Sequence, residues 1–253
     1  MATLFGVATD SGRWHAQSPD CGGDDEIRAA WLSRAWPGRS LVAAAPALAR
    51  VAPMSVDFRV CFFGDSFVAG TGDAGQAGWV GRVMASAVRA GVTATGYNLG
   101  IRGDSFSDVA DRLVGEASLR FRAGDRHVIV LSAGVNDTPE GDGLADWQPG
   151  AVAGLDRVAD LCARHDWAAF VVGPPLVGDD ARNVRIGALS DACREACAQR
   201  SLTYLDVSSA LEGDAEWREA VRRGDGVHPD DSGYQQLADI IESTFIDWLS
   251  QLR

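Results

Sequence analysis

The sequence predicts an α/β fold in which one parallel sheet lies between two layers of helices. Strand-like and helix-like segments alternate along residues 54–253, which is the pattern of a doubly wound sheet. The strand-like segments are apolar at consecutive positions, as in "HVIVL" and "FVV", which is typical of strands buried on both faces. We therefore expect a three-layer α/β/α sandwich with a five-stranded parallel sheet.

Each element is predicted from its own local pattern. The strands are short apolar runs rich in β-branched and aromatic residues, and the helices carry apolar residues at helical spacing. The predicted strands are Phe58–Phe63, Thr93–Asn98, His127–Leu131, Ala168–Val172 and Thr203–Val207. The predicted helices are Ala77–Ala90, Ser105–Phe121, Ala151–His165, Ala181–Arg200, Asp214–Arg223 and Ser232–Leu249.

The first 53 residues differ in composition from the rest of the chain. Their five arginines balance five acidic residues, so the net charge of −12 arises from the remainder. No helical or strand period runs through them, and Met54 directly precedes the first predicted strand. We expect residues 1–53 to be a poorly structured extension with Met54 as the candidate natural start. Residues 54–253 are expected to form one domain.

Composition excludes several classes of function. A net charge of −12 argues against nucleic acid or an anionic membrane as partner, because both are bound through clustered basic residues. No apolar run reaches the ~18 residues of a membrane span. All basic residues are arginine, which excludes a Schiff-base lysine, a Ser-Lys dyad and a phosphate-loop lysine. We expect a small-molecule substrate.

The cysteines indicate a reducing compartment. Five of them are scattered along the chain without a C-x-x-C pair, which favours free thiols over a disulfide or metal framework. The segment "LVAAAPALA" at residues 41–49 resembles a signal-peptide core but lies too far from the N-terminus for one. We therefore expect a cytoplasmic protein, with export as the alternative, and we expect no metal site.

Polar and glycine-rich clusters follow the predicted strands. The triplet "GDS" ending at Ser66 follows the first strand, Gly103 follows the second and Asn136 the third, while Asp225 and His228 precede the last helix. Because the carboxyl ends of parallel strands meet at one edge of the sheet, ligands bind there. These residues are therefore predicted to lie at one functional site.

The residue types at this edge fit acyl transfer. A serine hydroxyl needs an adjacent base to become a nucleophile. Of the four histidines, only His228 stands in a loop bounded by glycine and proline, and the spacing Asp225-x-x-His228 lets the carboxylate orient the imidazole. The backbone N–H of Gly103 and the amide of Asn136 could stabilise an oxyanion. Taken singly, the glycine fits a turn and the asparagine a helix cap or Asx-turn.

Four blocks in this order resemble the SGNH hydrolases, also called GDSL esterases/lipases. The blocks are Gly64-Asp65-Ser66, Gly103, Gly134-x-Asn136-Asp137 and Asp225-x-x-His228. The resemblance implies a flavodoxin-like sheet and hydrolysis of acyl esters without a cofactor. It implies Ser66 as nucleophile, His228 as base supported by Asp225, and an oxyanion hole made of the Ser66 N–H, the Gly103 N–H and the Asn136 amide. Phe67 stands where the family has leucine, which we expect to alter only the packing beside the serine.

Two alternatives of another class remain at this point. Gly70 to Gly75 form a literal G-x-G-x-x-G, but the dinucleotide motif places its glycines directly after the strand. A nucleotide-binding protein would leave Ser66 and His228 dispensable. A non-catalytic binding protein on the same fold is the second alternative, because fold does not fix function. The G-x-S-x-G elbow of α/β-hydrolases is absent.

The sequence does not identify which ester is the substrate. Short acyl esters, lysophospholipids, acyl thioesters and acetylated sugars all suit this chemistry, so a lysophospholipase, a thioesterase and a glycan O-acetyl esterase are alternatives. We expect small, water-soluble esters, because no lipid-binding helix is evident. Arg102 and Trp147 are candidates to line the pocket, although the first could equally be a solvated residue and the second a packing residue. The sequence does not predict an oligomeric state.

Overall fold

A computed structural model describes residues 56–141 and 143–253 of the chain. The extension predicted for residues 1–53 and the candidate start at Met54 lie outside the described residues. Among the described residues, no helix is both long enough and apolar enough to cross a membrane.

The described chain contains one sheet of five parallel strands in the order β2-β1-β3-β4-β5. This is the strand order of flavodoxin-like sheets, and it confirms the predicted fold class. The register pairs the last residue of β1, Gly64, with Gly100 of β2 and Ser132 of β3. The strands are β1 (Asp57–Gly64), β2 (Thr93–Gly100), β3 (Arg126–Ser132), β4 (Ala168–Val172) and β5 (Thr203–Leu205).

Helices connect the strands and follow the last one. Each of the six predicted helices has a counterpart, and a 3₁₀ turn at Val135–Asp137 follows β3. The helices are α1 (Ser66–Ala69), α2 (Gly78–Arg89), α3 (Phe106–Arg120), α4 (Leu144–Arg164), α5 (Asp180–Gln199), α6 (Val207–Leu211), α7 (Ala215–Arg223) and α8 (Asp231–Gln251).

Three details differ from the prediction. Helix α4 begins at Leu144 and not at Ala151, because Pro149 lies inside the helix without ending it. Strand β5 ends at Leu205, since the carboxylate of Asp206 accepts the Ser209 N–H and so caps α6. Helices α1 and α6 have four and five residues, which is too short for a helical period to show.

The core lies on both faces of the sheet. Phe62 of β1 packs edge-on against Trp79 of α2, with 5.7 Å between the ring centroids, and against Phe245 of α8. Its neighbour Phe63 belongs to the opposite cluster, together with Leu113 of α3. Because successive strand residues point to opposite faces, burial on both sides explains why the strand sequences are apolar at consecutive positions.

Four buried cysteines carry free thiols: Cys61, Cys162, Cys193 and Cys197. Burial raises the pKa of each thiol, to about 12 for Cys61. Because the thiolate is the reactive form of cysteine, these four residues are packing groups. Cys21 lies outside the described residues.

Helix α1 packs directly on the end of β2. A Cβ atom placed on Gly100 would lie 2.2 Å from the Ala69 nitrogen and 2.8 Å from the Asp65 carbonyl oxygen. Such distances are far below van der Waals contact, so only glycine fits here. The turn that carries Ser66 therefore rests on bare backbone.

This contact predicts opposite effects for two glycine substitutions. Gly100→Ala should lower the free energy of unfolding by more than about 2 kcal/mol, because the new methyl group overlaps backbone that cannot move without shifting α1. Gly115→Ala should raise it by about 0.5–1 kcal/mol, because Gly115 is an exposed helical residue with open space around it. Urea denaturation of both variants checks this, and equal stabilities would contradict the packing described for α1.

Candidate active site

Ser66 is the first residue of α1, immediately after β1. The carboxylate of Asp65 caps this helix by accepting the Phe67 N–H at 2.9 Å. The first N–H groups of a helix have no intrahelical acceptor, and no acceptor among the described residues meets the Ser66 N–H. Only 7% of Ser66 is exposed, so its hydroxyl lies at the floor of the site.

His228 and Asp225 extend a hydrogen-bonded chain from the serine. His228 Nε2 lies 2.7 Å from Ser66 Oγ, and His228 Nδ1 lies 2.8 Å from Asp225 Oδ2. The other carboxylate oxygen accepts the backbone N–H groups of Val227 at 2.9 Å and His228 at 2.7 Å. This arrangement fits the tautomer in which Nδ1–H donates to Asp225 and Nε2 accepts the serine proton.

The hydrogen bonds keep Asp225 ionised. Burial acts to raise the pKa of Asp225, but the bonds from the His228 ring and from the two backbone N–H groups outweigh it and hold the pKa at about 2. A full negative charge therefore faces the imidazole at neutral pH. Such a carboxylate can stabilise a positive charge on His228.

The loop that carries His228 is braced by neighbouring loops. The Gly178 N–H donates to the Gly226 carbonyl at 2.9 Å, which joins the loop after β4 to it. Gly72 lies against Pro229, where a Cβ atom would be 2.8 Å from the Pro229 oxygen. Phe67 packs beside the imidazole with 5.2 Å between ring centroids. The phenylalanine that replaces the family's leucine is thus in contact with His228.

Gly103 and Asn136 meet at the neighbouring turn. The Asp104 N–H donates to the Ile101 carbonyl at 3.2 Å, and Gly103 has φ +91°, which is the geometry of a type II turn. Asn136 Nδ2 donates to the Asp104 carbonyl at 3.0 Å. An amide group has two N–H donors, so the second one is left. Within residues 56–141 and 143–253 no acceptor meets the Gly103 N–H.

The side chain of Arg112 fixes this turn to β1. Its Nε donates to Asp104 Oδ2 at 2.7 Å, its Nη2 donates to the Gly64 carbonyl at 3.2 Å, and its Cζ lies 5.2 Å from the centre of the Phe63 ring. Sequence reasoning missed Arg112, because a charged residue on a predicted helix is usually solvent-facing. Its position eight residues after Asp104, in the second turn of α3, is the signal that could have found it.

Arg182 has a comparable role at the turn after β3. It donates from Nη2 to the Val135 carbonyl at 2.6 Å and from Nε to the Thr138 hydroxyl at 3.4 Å. These bonds hold the 3₁₀ turn that carries Asn136. Nothing in the sequence pattern indicates this contact, because Arg182 lies 47 residues from Val135.

Two carboxyl groups, the buried Asp65 and the half-buried Asp137, lie under the site. Burial raises the pKa of Asp65 to about 7; the nearby carboxyls of Asp137 and Asp104 add to the shift, and the Phe67 N–H opposes it. Burial likewise raises the pKa of Asp137 to about 6, against the hydrogen bond from the Phe106 N–H. Asp65 is therefore partly protonated at neutral pH, and Asp137 becomes so as the pH falls toward 6.

The glycines at 70–75 form a structural loop. The carboxylate of Asp73 accepts the backbone N–H groups of Gly75, Ala77 and Gly78 and pairs with Arg82 in a bidentate manner. A phosphate group would need such N–H donors, and here a protein carboxylate already occupies them. The loop supports the His228 segment, which argues against the nucleotide-binding alternative.

The two candidate pocket residues lie in different environments. Trp147 is 9% exposed and packs in the core cluster on the α3, α4 and α5 side of the sheet. Arg102 is exposed and directly precedes Gly103. The structure thus places Arg102 beside the site and makes Trp147 a packing residue.

Comparison with known proteins places the chain in an enzyme class. The serine, the histidine and the aspartate are hydrogen-bonded to one another at the carboxyl edge of the five-stranded parallel sheet. The model of the GDSL-like lipase/acylhydrolase family matches residues 62–236. The chain belongs to this family and is a carboxylic ester hydrolase, as the motifs predicted. No curated protein matches the sequence.

Solved structures share the fold. A lipase/acylhydrolase from Enterococcus faecalis is 24% identical with a TM-score of 0.58, covering 75% of this chain and 95% of that one. TesA is 22% identical with a TM-score of 0.60, covering 74% and 97%. The acetyl xylan esterase AlAXEase is 20% identical with a TM-score of 0.59, covering 74% and 98%. These similarities confirm the α/β/α architecture.

The buried carboxyl of Asp65 predicts a pH-dependent stability. A folded-state pKa of about 7 lies above the ordinary value of about 3.9, so the folded state binds more protons between these values. The stability contributed by the protonated form is present below about pH 4 and is lost as the pH rises through 7. Relative to Asp65→Asn, the wild type should lose on the order of a few kcal/mol across this window.

The measurement is urea denaturation of both proteins from pH 5 to pH 8.5. Asn at position 65 retains an oxygen that accepts the Phe67 N–H, so its own offset should not depend on pH. Asp247→Asn, which removes an exposed carboxylate of α8, serves as control and should show a flat difference. A flat difference for Asp65→Asn would show that Asp65 is ionised throughout.

Proposed function

We propose that the protein is a serine esterase that cleaves carboxylic acyl esters through an acyl-enzyme on Ser66. The observation that carries the proposal is the unbroken chain Ser66 Oγ–His228 Nε2–Asp225, with distances of 2.7 and 2.8 Å. Both ring nitrogens of His228 are engaged in the orientation that base catalysis needs. The catalytic domain comprises residues 54–253.

The first half of the reaction forms the acyl-enzyme. His228 Nε2 accepts the Ser66 proton as Oγ attacks the ester carbonyl carbon, and the ionised Asp225 stabilises the imidazolium that results. The tetrahedral intermediate then collapses, the bond to the alcohol oxygen breaks, and the imidazolium gives its proton to the departing alcohol. Ser66 is left as an ester of the acyl group.

The second half of the reaction uses water. His228 removes a proton from a water molecule, whose oxygen attacks the acyl carbon. The second tetrahedral intermediate releases the carboxylic acid, and Ser66 Oγ recovers its proton from His228. No cofactor or metal takes part in this scheme.

Three donors face the oxygen that becomes negative. They are the free N–H of Ser66, the N–H of Gly103 and the second amide hydrogen of Asn136. Arg112 and Arg182 hold the two turns in place before substrate arrives, which is the preorganisation that makes such donors effective.

The substrate that we propose is a small or short-chain ester. Two structural neighbours, AlAXEase and Axe2 from Geobacillus stearothermophilus, are described as acetyl xylan and acetylxylan esterases, which favours short acyl groups. Glycan O-acetyl esterase, lysophospholipase and thioesterase activities are the alternatives. The cysteine pattern favours a cytoplasmic location.

Substitution of the nucleophile tests the proposal directly. Ser66→Ala should lower kcat for p-nitrophenyl acetate by at least about 10³-fold, because no other group can form the acyl-enzyme. Ser118→Ala removes an exposed hydroxyl of α3 and should leave kcat within about twofold of the wild type. Equal activity of wild type and Ser66→Ala would overturn the assignment of the nucleophile.

The same assay extended to butyrate and octanoate esters resolves the acyl length. Rates that fall from acetate to octanoate would support a short-chain esterase, and the reverse order would favour a lipid-type substrate. Intact mass after rapid acid quenching should show the acyl group on the wild type and not on Ser66→Ala. A folded wild type without activity on any of the three esters would favour a non-catalytic binding protein.

The oxyanion hole gives a separate prediction. Asn136→Ala should lower kcat by about 10²- to 10³-fold with little change in KM, because the lost donor acts on charge that develops in the transition state. Gln148→Ala is the matched control: it removes an amide that donates to the Ala188 carbonyl at 2.8 Å, away from the site. The measurement is kcat and KM of both variants by steady-state kinetics. A small effect of Asn136→Ala on kcat would exclude the amide from the oxyanion hole.

A further inference from the structure

Arg102 occupies the tip of a turn that is fixed beside the site. The turn Ile101–Asp104 is anchored at three points: the Ile101 N–H donates to the Gly64 carbonyl at 3.0 Å, Arg112 binds the Asp104 carboxylate, and Asn136 binds the Asp104 carbonyl. The backbone of Arg102 is therefore held in place relative to Ser66.

The guanidinium of Arg102 is unpaired. It is exposed, and within residues 56–141 and 143–253 no acceptor lies within hydrogen-bonding distance of it. Other arginines around this edge are engaged: Arg112 and Arg182 bind the turns, and Arg223 pairs with Asp230. In a chain with 35 acidic and 23 basic residues, a cation without a partner is available for a ligand.

The positive charge of Arg102 acts electrostatically on the hydroxyl of Tyr234 in α8. Burial raises the pKa of the Tyr234 hydroxyl, and the positive charge of Arg102 acts in the opposite direction. That hydroxyl donates to the Thr71 carbonyl at 2.7 Å, in the loop whose Gly72 packs against Pro229.

The length of the side chain limits what it can reach. The Gly103 N–H, which would hold the ester oxygen, is bonded directly to the Arg102 carbonyl carbon. Five single bonds place the guanidinium carbon up to roughly 6 Å from the Arg102 Cα. A charged substituent a few bonds from the scissile carbonyl would lie within this range.

We propose that Arg102 is a specificity-determining residue that selects esters carrying a carboxylate or another anionic group close to the scissile carbonyl. The inference rests on the proposed function, because it takes Gly103 as an oxyanion donor. A guanidinium binds a carboxylate through two parallel hydrogen bonds. At a protein of net charge −12, such a local cation is what lets an anionic substrate bind.

Matched pairs of neutral and anionic esters test the proposal. Monoethyl adipate against ethyl hexanoate places the charge on the acyl side, and 4-acetoxybenzoate against its methyl ester places it on the alcohol side. For at least one pair, Arg102→Gln should lower kcat/KM for the anionic ester by about tenfold or more. The neutral ester of that pair should change by less than about twofold.

Three controls separate recognition from general charge effects. Arg102→Lys keeps the charge and should retain part of the preference. About 1 M NaCl, where the screening length is about 3 Å, should reduce the preference of the wild type. Arg122→Gln removes an exposed arginine between α3 and β3, at the opposite edge of the sheet, and should leave both members of each pair unchanged.

The outcomes distinguish this inference from the proposed function. Equal losses for neutral and anionic esters in Arg102→Gln, or no loss for either, would overturn the specificity role while leaving the esterase intact. Absence of Ser66-dependent hydrolysis of every ester by the wild type would overturn the proposed function itself. A selective loss for the anionic ester, with partial recovery in Arg102→Lys, would support the assignment.

Discussion

The site depends on how closely the backbones of β1 and its neighbours approach one another at their carboxyl ends. Gly64 pairs with both Gly100 and Ser132, and a Cβ atom at Gly64 would lie 1.8 Å from the Ser132 oxygen. Because side chains are excluded there, α1 rests on bare backbone and Ser66 emerges next to the turns that follow β2 and β3. The 2.7 Å hydrogen bond to His228 requires that the serine be held at this level.

The ion pair between Arg112 and Asp104 couples these turns. Its side chains are 16% and 13% exposed, so the pair is largely withdrawn from water, and such pairs contribute little net stability because desolvation offsets the Coulomb attraction. The ion pair instead fixes the position of the turn that carries Gly103 relative to β1. The Gly64 carbonyl, at the end of β1, accepts both the Ile101 N–H and an Arg112 N–H, so the turn that carries Gly103 and the side chain of Arg112 are bonded to the same atom just before Ser66. A shift of β1 or of the turn after β2 would therefore break these hydrogen bonds.

The fold could be predicted because the strands β1, β3 and β4 are buried on both faces and are therefore apolar at consecutive positions. The position of Ser66 could be predicted because it follows such a strand at the carboxyl edge of the sheet. Ser66 and His228 are 162 positions apart, which carries no spacing signal, so His228 was assigned to the site from the Asp225-x-x-His228 spacing and the family resemblance. The role of Arg182 could not be predicted, because its acceptors at Val135 and Thr138 lie 47 and 44 residues away in the sequence. For Arg112 the spacing from Asp104 is a local signal, but its bond to the Gly64 carbonyl spans 48 residues. Short helices such as α1 were not predicted for a different reason, because four residues are too few to show a helical period.

The environment divides the carboxyl groups of the site into two kinds. Asp225 receives hydrogen bonds from the imidazole and two backbone N–H groups, and its pKa is about 2; buried Asp65 is bonded chiefly by the Phe67 N–H, and its pKa is about 7. The full negative charge therefore lies where the imidazolium would form. The Asp65 carboxyl under Ser66 is partly neutral near pH 7, and the Asp104 carboxylate beside Gly103 is paired with Arg112, which lessens repulsion of a developing oxygen charge. Within the described part of the chain, Arg112 and Arg182 donate to the turns that carry Gly103 and Asn136, whereas the exposed Arg102 has no such acceptor, which is why a charged substrate is proposed to meet it there.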